Sequence, residues 1–143
     1  IVSPDIAFFG EKDLQQLTII KYISKKLDLK IVSVPTVREK NGIALSSRNK
    51  NLTKDSFKSA AIIFESLCYC RDHITKYDIV TLKNKVKKLF ERSKLNLEYL
   101  EFVSMETMHP VDVICDNLAI CIAATTENVR LIDNIIINAE ETN

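Results

Sequence analysis

A short apolar run, a stretch of helical period and a second apolar run follow one another at the front of the chain. That order restricts the fold more than any other feature. Ile6-Ala7-Phe8-Phe9 reads as a buried strand. Leu14, Leu17, Ile20, Ile23 and Leu27 recur at helical spacing, which predicts a helix over 12–27. Lys30-Ile31-Val32-Ser33-Val34 predicts a second strand, stopped by Pro35. Strand, helix and strand within ~30 residues make one βαβ unit, with parallel strands and a right-handed crossover. In open α/β sheets ligands bind outside the carboxyl ends of the strands. Two polar segments leave such ends here, one from Gly10 and one over 35–49, so the two are expected to converge.

Only two glycines occur in the 143 residues, against roughly 10 at an average usage of ~7%, and each sits in one of those segments. The first opens Gly10-Glu11-Lys12-Asp13-Leu14-Gln15-Gln16; the second opens Gly42-Ile43-Ala44-Leu45-Ser46-Ser47-Arg48-Asn49. Glycine is kept where the backbone needs positive φ or must approach a ligand closely. Lys12 is a point charge suited to phosphate. Asp13 can accept from ribose hydroxyls. Gln16, four residues beyond Lys12, is expected on the same helix face, where its amide can donate to and accept from a small hydroxy acid. Ser46, Ser47 and Arg48 add two hydroxyls and a guanidinium, a set that can hold a polyphosphate. Taken singly, these segments read equally well as a polar surface helix and a serine-capped turn. Together, at neighbouring strand ends, they point to a nucleotide.

From Thr53 the pattern changes. Thr53 is a suitable N-cap for a helix carrying Phe57, Ala60, Ala61, Phe64, Leu67 and Cys68 on one face. Asp78 can cap another, with Ile79, Leu82, Val86, Leu89 and Phe90 as its apolar stripe. The opposite face of that helix carries Lys83, Lys85, Lys87 and Lys88, either an anion patch or a solvated surface. Three strands are predicted over 96–104, 117–124 and 129–137, joined by a loop at 105–110 and a turn at 125–128, as an antiparallel meander. The fold class is therefore α/β: the end of a Rossmann-like parallel domain over 1–35, then a small α+β domain over 36–143 with helices and a three-stranded antiparallel sheet.

Lys and Arg number 20 against 19 Asp and Glu, so net charge gives no reason to expect nucleic acid or a membrane as partner. Runs such as Leu118-Ala119-Ile120-Cys121-Ile122-Ala123-Ala124 are too short to span a bilayer, and no signal peptide is visible, which suggests the cytoplasm. The four cysteines form no Cys-x-x-Cys and no ligand spacing with His73 or His109, so reduced, packed thiols and no metal site are expected. The chain opens at Ile1 rather than methionine, directly ahead of a strand, which reads as the start of a fragment.

With these motifs on view, the sequence resembles the pantothenate synthetase (pantoate–β-alanine ligase) family from about residue 2 to 137. The resemblance rests on Pro4-Asp5, the run 10–16, Val34-Pro35-Thr36-Val37-Arg38-Glu39, Leu45-Ser46-Ser47-Arg48-Asn49 with Leu52, and Arg130-Leu131-Ile132-Asp133-Asn134. It implies an enzyme that joins pantoate to β-alanine with ATP and Mg²⁺ through a pantoyl adenylate. By matching position, Lys12 would neutralise phosphate charge, while Gly10 and Asp13 would hold the ribose and Gln16 would bind pantoate. Ser46, Ser47 and Arg48 would correspond to a loop that closes over the triphosphate, and Val37 and Leu45 would touch adenine through their backbone. Catalytic roles thus fall to Lys12, Ser46, Ser47 and Arg48. The family's His-x-Gly-His motif has no counterpart here, which suggests the C-terminal half of a homodimeric enzyme, inactive by itself. The alternative is a non-catalytic structural domain. Two smaller departures are Leu14, where the family has a larger aromatic, and 126–128, where it often has glycine; Asn128 is expected to adopt the left-handed conformation there.

Overall fold

The computed structural model describes residues 3–137. They fall into two compact units, the first ending at Val37 and the second beginning at Arg38. The first contains β1 (Ile6–Gly10), α1 (Leu14–Ser24) and β2 (Lys30–Val34). The strands are parallel, with Ile6 opposite Lys30 and Gly10 opposite Val34. One more bond, from Glu11 N to Val34 O at 2.9 Å, carries the pairing past the end of β1. Residues 11–13 and 35–37 therefore leave the same, carboxyl edge of the sheet.

The helix is shorter than its apolar period. It begins at Leu14, with Asp13 at the N-cap position, and ends at Ser24. Asp28 then takes φ +50°, a left-handed conformation that short polar side chains tolerate and a helix cannot continue through. Leu14 and Leu17 are buried, whereas Leu27, counted into the helix on spacing, is exposed.

The second unit contains a 3₁₀ turn (Ser47–Asn51), α2 (Lys54–Ser59), α3 (Ala61–His73), α4 (Ile79–Phe90), β3 (Asn96–Ser104), β4 (Leu118–Thr126) and β5 (Val129–Ile137). The sheet order is β3-β4-β5, antiparallel throughout, with Phe102 opposite Ile120 and Ile122 opposite Asp133. α3 packs on β4 and β5, and α4 on β3. Their buried stripes meet the sheet in one core built around Leu67, Leu82, Val86, Phe102, Ile120 and Ile122. Each such side chain contributes about 1.5–3 kcal/mol of burial free energy.

Both expected caps are present. Thr53 Oγ1 accepts from Ser56 N at 3.2 Å, and Asp78 Oδ1 accepts from Thr81 N at 2.7 Å. Hydrogen bonds from the side chain and the backbone of Thr81 hold the Asp78 carboxyl below its ordinary range. The helix predicted to run on from Thr53 is two helices instead. The ladder tightens at Ala60, where Ile63 N donates to Ala60 O at 3.1 Å across three residues. The break turns the buried face of α3, so that Ile63, Ser66, Leu67 and Cys70 point inward and Phe64 and Cys68 sit at the margin. Leu89, placed in the stripe of α4 by spacing, is exposed.

The β4–β5 connection is Glu127-Asn128, and it is Glu127, not Asn128, that adopts positive φ, at +52°. Its carboxylate supplies a reason. Glu127 Oε1 accepts from Thr53 Oγ1 at 3.0 Å and from Ser56 Oγ at 2.7 Å, tying the hairpin to the start of α2.

All four cysteines are free thiols. Burial pushes Cys70 up to about 12 and Cys121 up to about 11, the latter helped by nearby Asp133 and Glu101. Cys115 is exposed. Alkylation followed by peptide mass spectrometry near pH 8 is expected to label Cys115 first and Cys70 only on unfolding. Equal labelling of the two would show that α3 opens readily.

Candidate functional site

At the carboxyl edge of the first unit, Gly10 closes β1 and Glu11, Lys12 and Asp13 form the turn into α1. Lys12 is half-buried, and Asp13 and Gln16 are exposed. Asp13 occupies the N-cap position without using its carboxylate to cap, so the side chain remains at the surface of the edge. Gln16 lies in the first turn of α1. Lys12 precedes the helix, so the four-residue spacing does not put the two on one helix face. They share the edge instead. Val37, at the end of the segment that follows β2, is 62% exposed.

The two glycines have different physical roles. Gly10 does not adopt positive φ, and a Cβ built on it meets nothing within 4 Å. Among the described residues nothing requires glycine there. Gly42 takes φ +89°, and a Cβ on it would lie 2.7 Å from Cδ1 of Phe64. Gly42→Ala is therefore expected to cost about 1–3 kcal/mol in urea denaturation, while Gly10→Ala leaves the midpoint unchanged or slightly raised. A destabilised Gly10→Ala would mean that the fold needs that glycine after all.

Gly42 sits in a small hairpin. Arg38 bridges Ala44, Glu39 N donates to Ile43 O at 2.8 Å, and Gly42 N donates to Glu39 O at 2.9 Å. Asn41 Nδ2 fastens its tip to Phe57 O at 2.9 Å, and Ile43 is buried in the core. Leu45 then emerges, 53% exposed, and Ser46 caps the 3₁₀ turn by accepting from Arg48 N at 3.2 Å. Ser47 and Arg48 are exposed on that turn. Asn49 turns inward. Its Nδ2 donates to Ala44 O at 3.1 Å, and its Oδ1 is buried with no hydrogen-bond partner among the described residues. The segment is thus a serine-capped turn with the polar side chains of Ser47 and Arg48 exposed on it.

One cluster escaped the sequence reading. Arg38 Nη1 donates to Asp133 Oδ2 at 2.5 Å and to Gly42 O at 3.1 Å, and Nη2 donates to Asp133 Oδ1 at 3.1 Å. The guanidinium carbon lies 3.8 Å from the centre of the Phe64 ring. Asp133 is 1% exposed at its side chain, on the core face of β5 that Leu131 and Ile137 also occupy. Its signal was available: Val129, Leu131, Asp133, Ile135 and Ile137 alternate along the strand, and one acid interrupts an otherwise apolar face.

Among the described residues, no group of three His, Cys, Asp or Glu side chains could hold a metal ion, and no helix is long and apolar enough to cross a membrane. His73 stacks between Tyr69, at 4.3 Å, and Tyr77, at 6.0 Å, and His109 lies in the loop after β3. Neither approaches the two segments in sequence.

Comparison with known proteins gives one consistent result. A family model described as pantoate-beta-alanine ligase matches residues 1–136. The pantothenate synthetase of Caldicellulosiruptor saccharolyticus is 39% identical over 142 residues, covering 96% of this chain and 50% of that protein. A bifunctional pantoate ligase/cytidylate kinase of Trichodesmium erythraeum is 43% identical over 145 residues, covering 96% of this chain and 28% of its own. The crystal structure of pantothenate synthetase from Thermus thermophilus superposes with a TM-score of 0.88 at 30% identity, covering 96% of this chain and 51% of that one. The Francisella tularensis ligase, solved with beta-gamma ATP and beta-alanine, gives 0.65 at 32% identity, covering 94% of this chain and 44% of its own. The chain spans about half the length of the pantothenate synthetases it matches.

Proposed function

The chain belongs to the pantoate–β-alanine ligase family, and from that premise we propose that it serves an ATP-dependent ligase making pantothenate through a pantoyl adenylate. The observation that carries this is the run 10–16 at the carboxyl edge of a parallel sheet, in a chain matched by the family model over 1–136. That edge is where open α/β sheets take nucleotides.

In the proposed reaction, a carboxylate oxygen of pantoate attacks the α-phosphorus of ATP and the bond to the bridging β-phosphate oxygen breaks, releasing pyrophosphate. The amine of β-alanine then attacks the acyl carbon, AMP leaves and a proton is lost. Lys12 supplies positive charge to the phosphate as negative charge develops, and Arg48 does so along the triphosphate. Ser46 Oγ already accepts from Arg48 N, which leaves its O–H to donate to a phosphate oxygen, as the Ser47 hydroxyl also can. Asp13 and the Gly10 backbone face the ribose, Gln16 takes pantoate, and Val37 and Leu45 offer backbone groups to adenine. Mg²⁺ enters this reading as the ion that ATP brings. The described residues contain no group of three His, Cys, Asp or Glu suited to it, and no step is assigned to it.

The deciding measurement is pantoate-dependent ATP–pyrophosphate exchange in the complete gene product. Its absence overturns the assignment. The activity belongs to a protein of the relatives' length, which we read as a cytoplasmic homodimer. For the 143 residues alone, acting as a non-catalytic domain, calorimetry is expected to show weak or no ATP binding. Sub-millimolar affinity would show that they hold ATP unaided.

A further inference from the structure

Two stretches that carry the family resemblance have no role in the chemistry above: Arg38-Glu39, the end of the motif after the second strand, and Arg130-Leu131-Ile132-Asp133-Asn134 in β5. In the structure they meet. The guanidinium of Arg38 bonds both carboxylate oxygens of Asp133, and a third bond reaches back to the Gly42 carbonyl of its own hairpin. Its flat face rests on Phe64 of α3. Four contacts of three kinds thus converge on one planar cation, which is the geometry that arginine offers and lysine does not.

We propose that Arg38 and Asp133 are positioning residues that hold the Ser46–Arg48 segment in its reactive arrangement. The inference rests on the assignment of that segment to ATP. The fastening can be followed bond by bond. Asp133 is fixed in β5, where the paired strand β4 runs alongside it. It holds Arg38, whose backbone bridges Ala44 and whose side chain holds Gly42. Ala44 O accepts from the Asn49 amide, and Asn49 N donates to Ser46 O at 3.1 Å, closing the 3₁₀ turn. Ser47 and Arg48 lie between those two ends and are exposed, so the position of their functional atoms is inherited from the clamp. Without it, the hairpin keeps Ile43 in the core but loses the bonds that set its tilt against β5.

The test compares Arg38→Gln, Arg38→Lys and Asp133→Asn with the parent, all in the complete gene product. Amide hydrogen exchange is read at Arg48, Asn49 and Leu52, with Ile120 and Ile122 of β4 as the internal control for folding. The expected result is exchange roughly ten-fold or more faster at the turn in Arg38→Gln and Asp133→Asn, by local opening, over and above the loss of global stability that β4 reports. Pantoate-dependent ATP–pyrophosphate exchange should fall about 10²-fold in kcat with little change in KM for ATP, because a misplaced group costs rate more than affinity. Arg38→Lys keeps the charge without the fork and should recover only part of either readout. Turn amides that exchange as in the parent, turn acceleration fully accounted for by the global loss of stability read at β4, or an undiminished kcat would each overturn the positioning role. Exchange activity in the unmodified protein is the separate control, since its absence removes the functional reading and leaves the hydrogen-exchange result to judge the clamp by itself.

Discussion

Replacing Arg48 by alanine is expected to slow pantoyl adenylation by about 10²–10³-fold, or about 2.7–4 kcal/mol, the range found when one preorganised donor to a developing negative charge is removed. The fold should scarcely register the change. Arg48 is exposed on its 3₁₀ turn, and the bond it contributes to the turn comes from its backbone N–H to Ser46 Oγ, which alanine keeps. Substitutions at such surface positions stay within about ±0.5 kcal/mol. Lys12→Ala should produce a similar loss of rate. Part of its effect will appear as lower stability, because Lys12 is half-buried rather than fully exposed. Exchange rates measured beside urea midpoints separate the two contributions. Unaltered exchange in both variants would remove these residues from the phosphate site.

That separation of fold from chemistry also explains what the sequence made legible. Period and capping are local properties, so Lys30–Val34, Asn96–Ser104 and Val129–Ile137 coincide with the strands found, and Thr53 and Asp78 cap the helices expected of them. Features decided by packing were hidden. Ala60 breaks a helix without glycine or proline to mark it. Leu27 keeps the apolar period after Ser24 has already closed α1, and Asp28 turns the chain away by its backbone conformation. Glu127 takes the left-handed position that Asn128 was expected to hold, because its carboxylate gains two hydroxyl donors across the unit. The glycines divide along the same line. Gly42 is explained by φ and by Phe64, whereas Gly10 has no structural explanation in these contacts. Gly10 stands at a strand end, where the proposed ribose contact would use its backbone. Arg38 and Asp133 are 95 residues apart in sequence, beyond the reach of any periodicity argument.

The largest effect on stability is expected at that pair, and it should be lopsided. Arg38→Met leaves the Asp133 carboxylate, 1% exposed at its side chain, without its cation in the core. Breaking a buried ion pair from one side typically costs about 3–5 kcal/mol, a large share of the roughly 5–15 kcal/mol that holds a domain together. Asp133→Leu strands a different charge. The Arg38 side chain is 20% exposed, rests on Phe64 and still bonds Gly42 O, so its guanidinium can turn part of its surface to water. Its loss should therefore be the smaller of the two. The double variant Arg38→Met/Asp133→Leu should be more stable than Arg38→Met alone, since it removes the charge that the single change leaves buried. Urea denaturation of all three variants tests the argument. If the double variant is no better than Arg38→Met, the cost lies in lost packing and in the Gly42 bond, and desolvation of Asp133 is not what makes the pair indispensable.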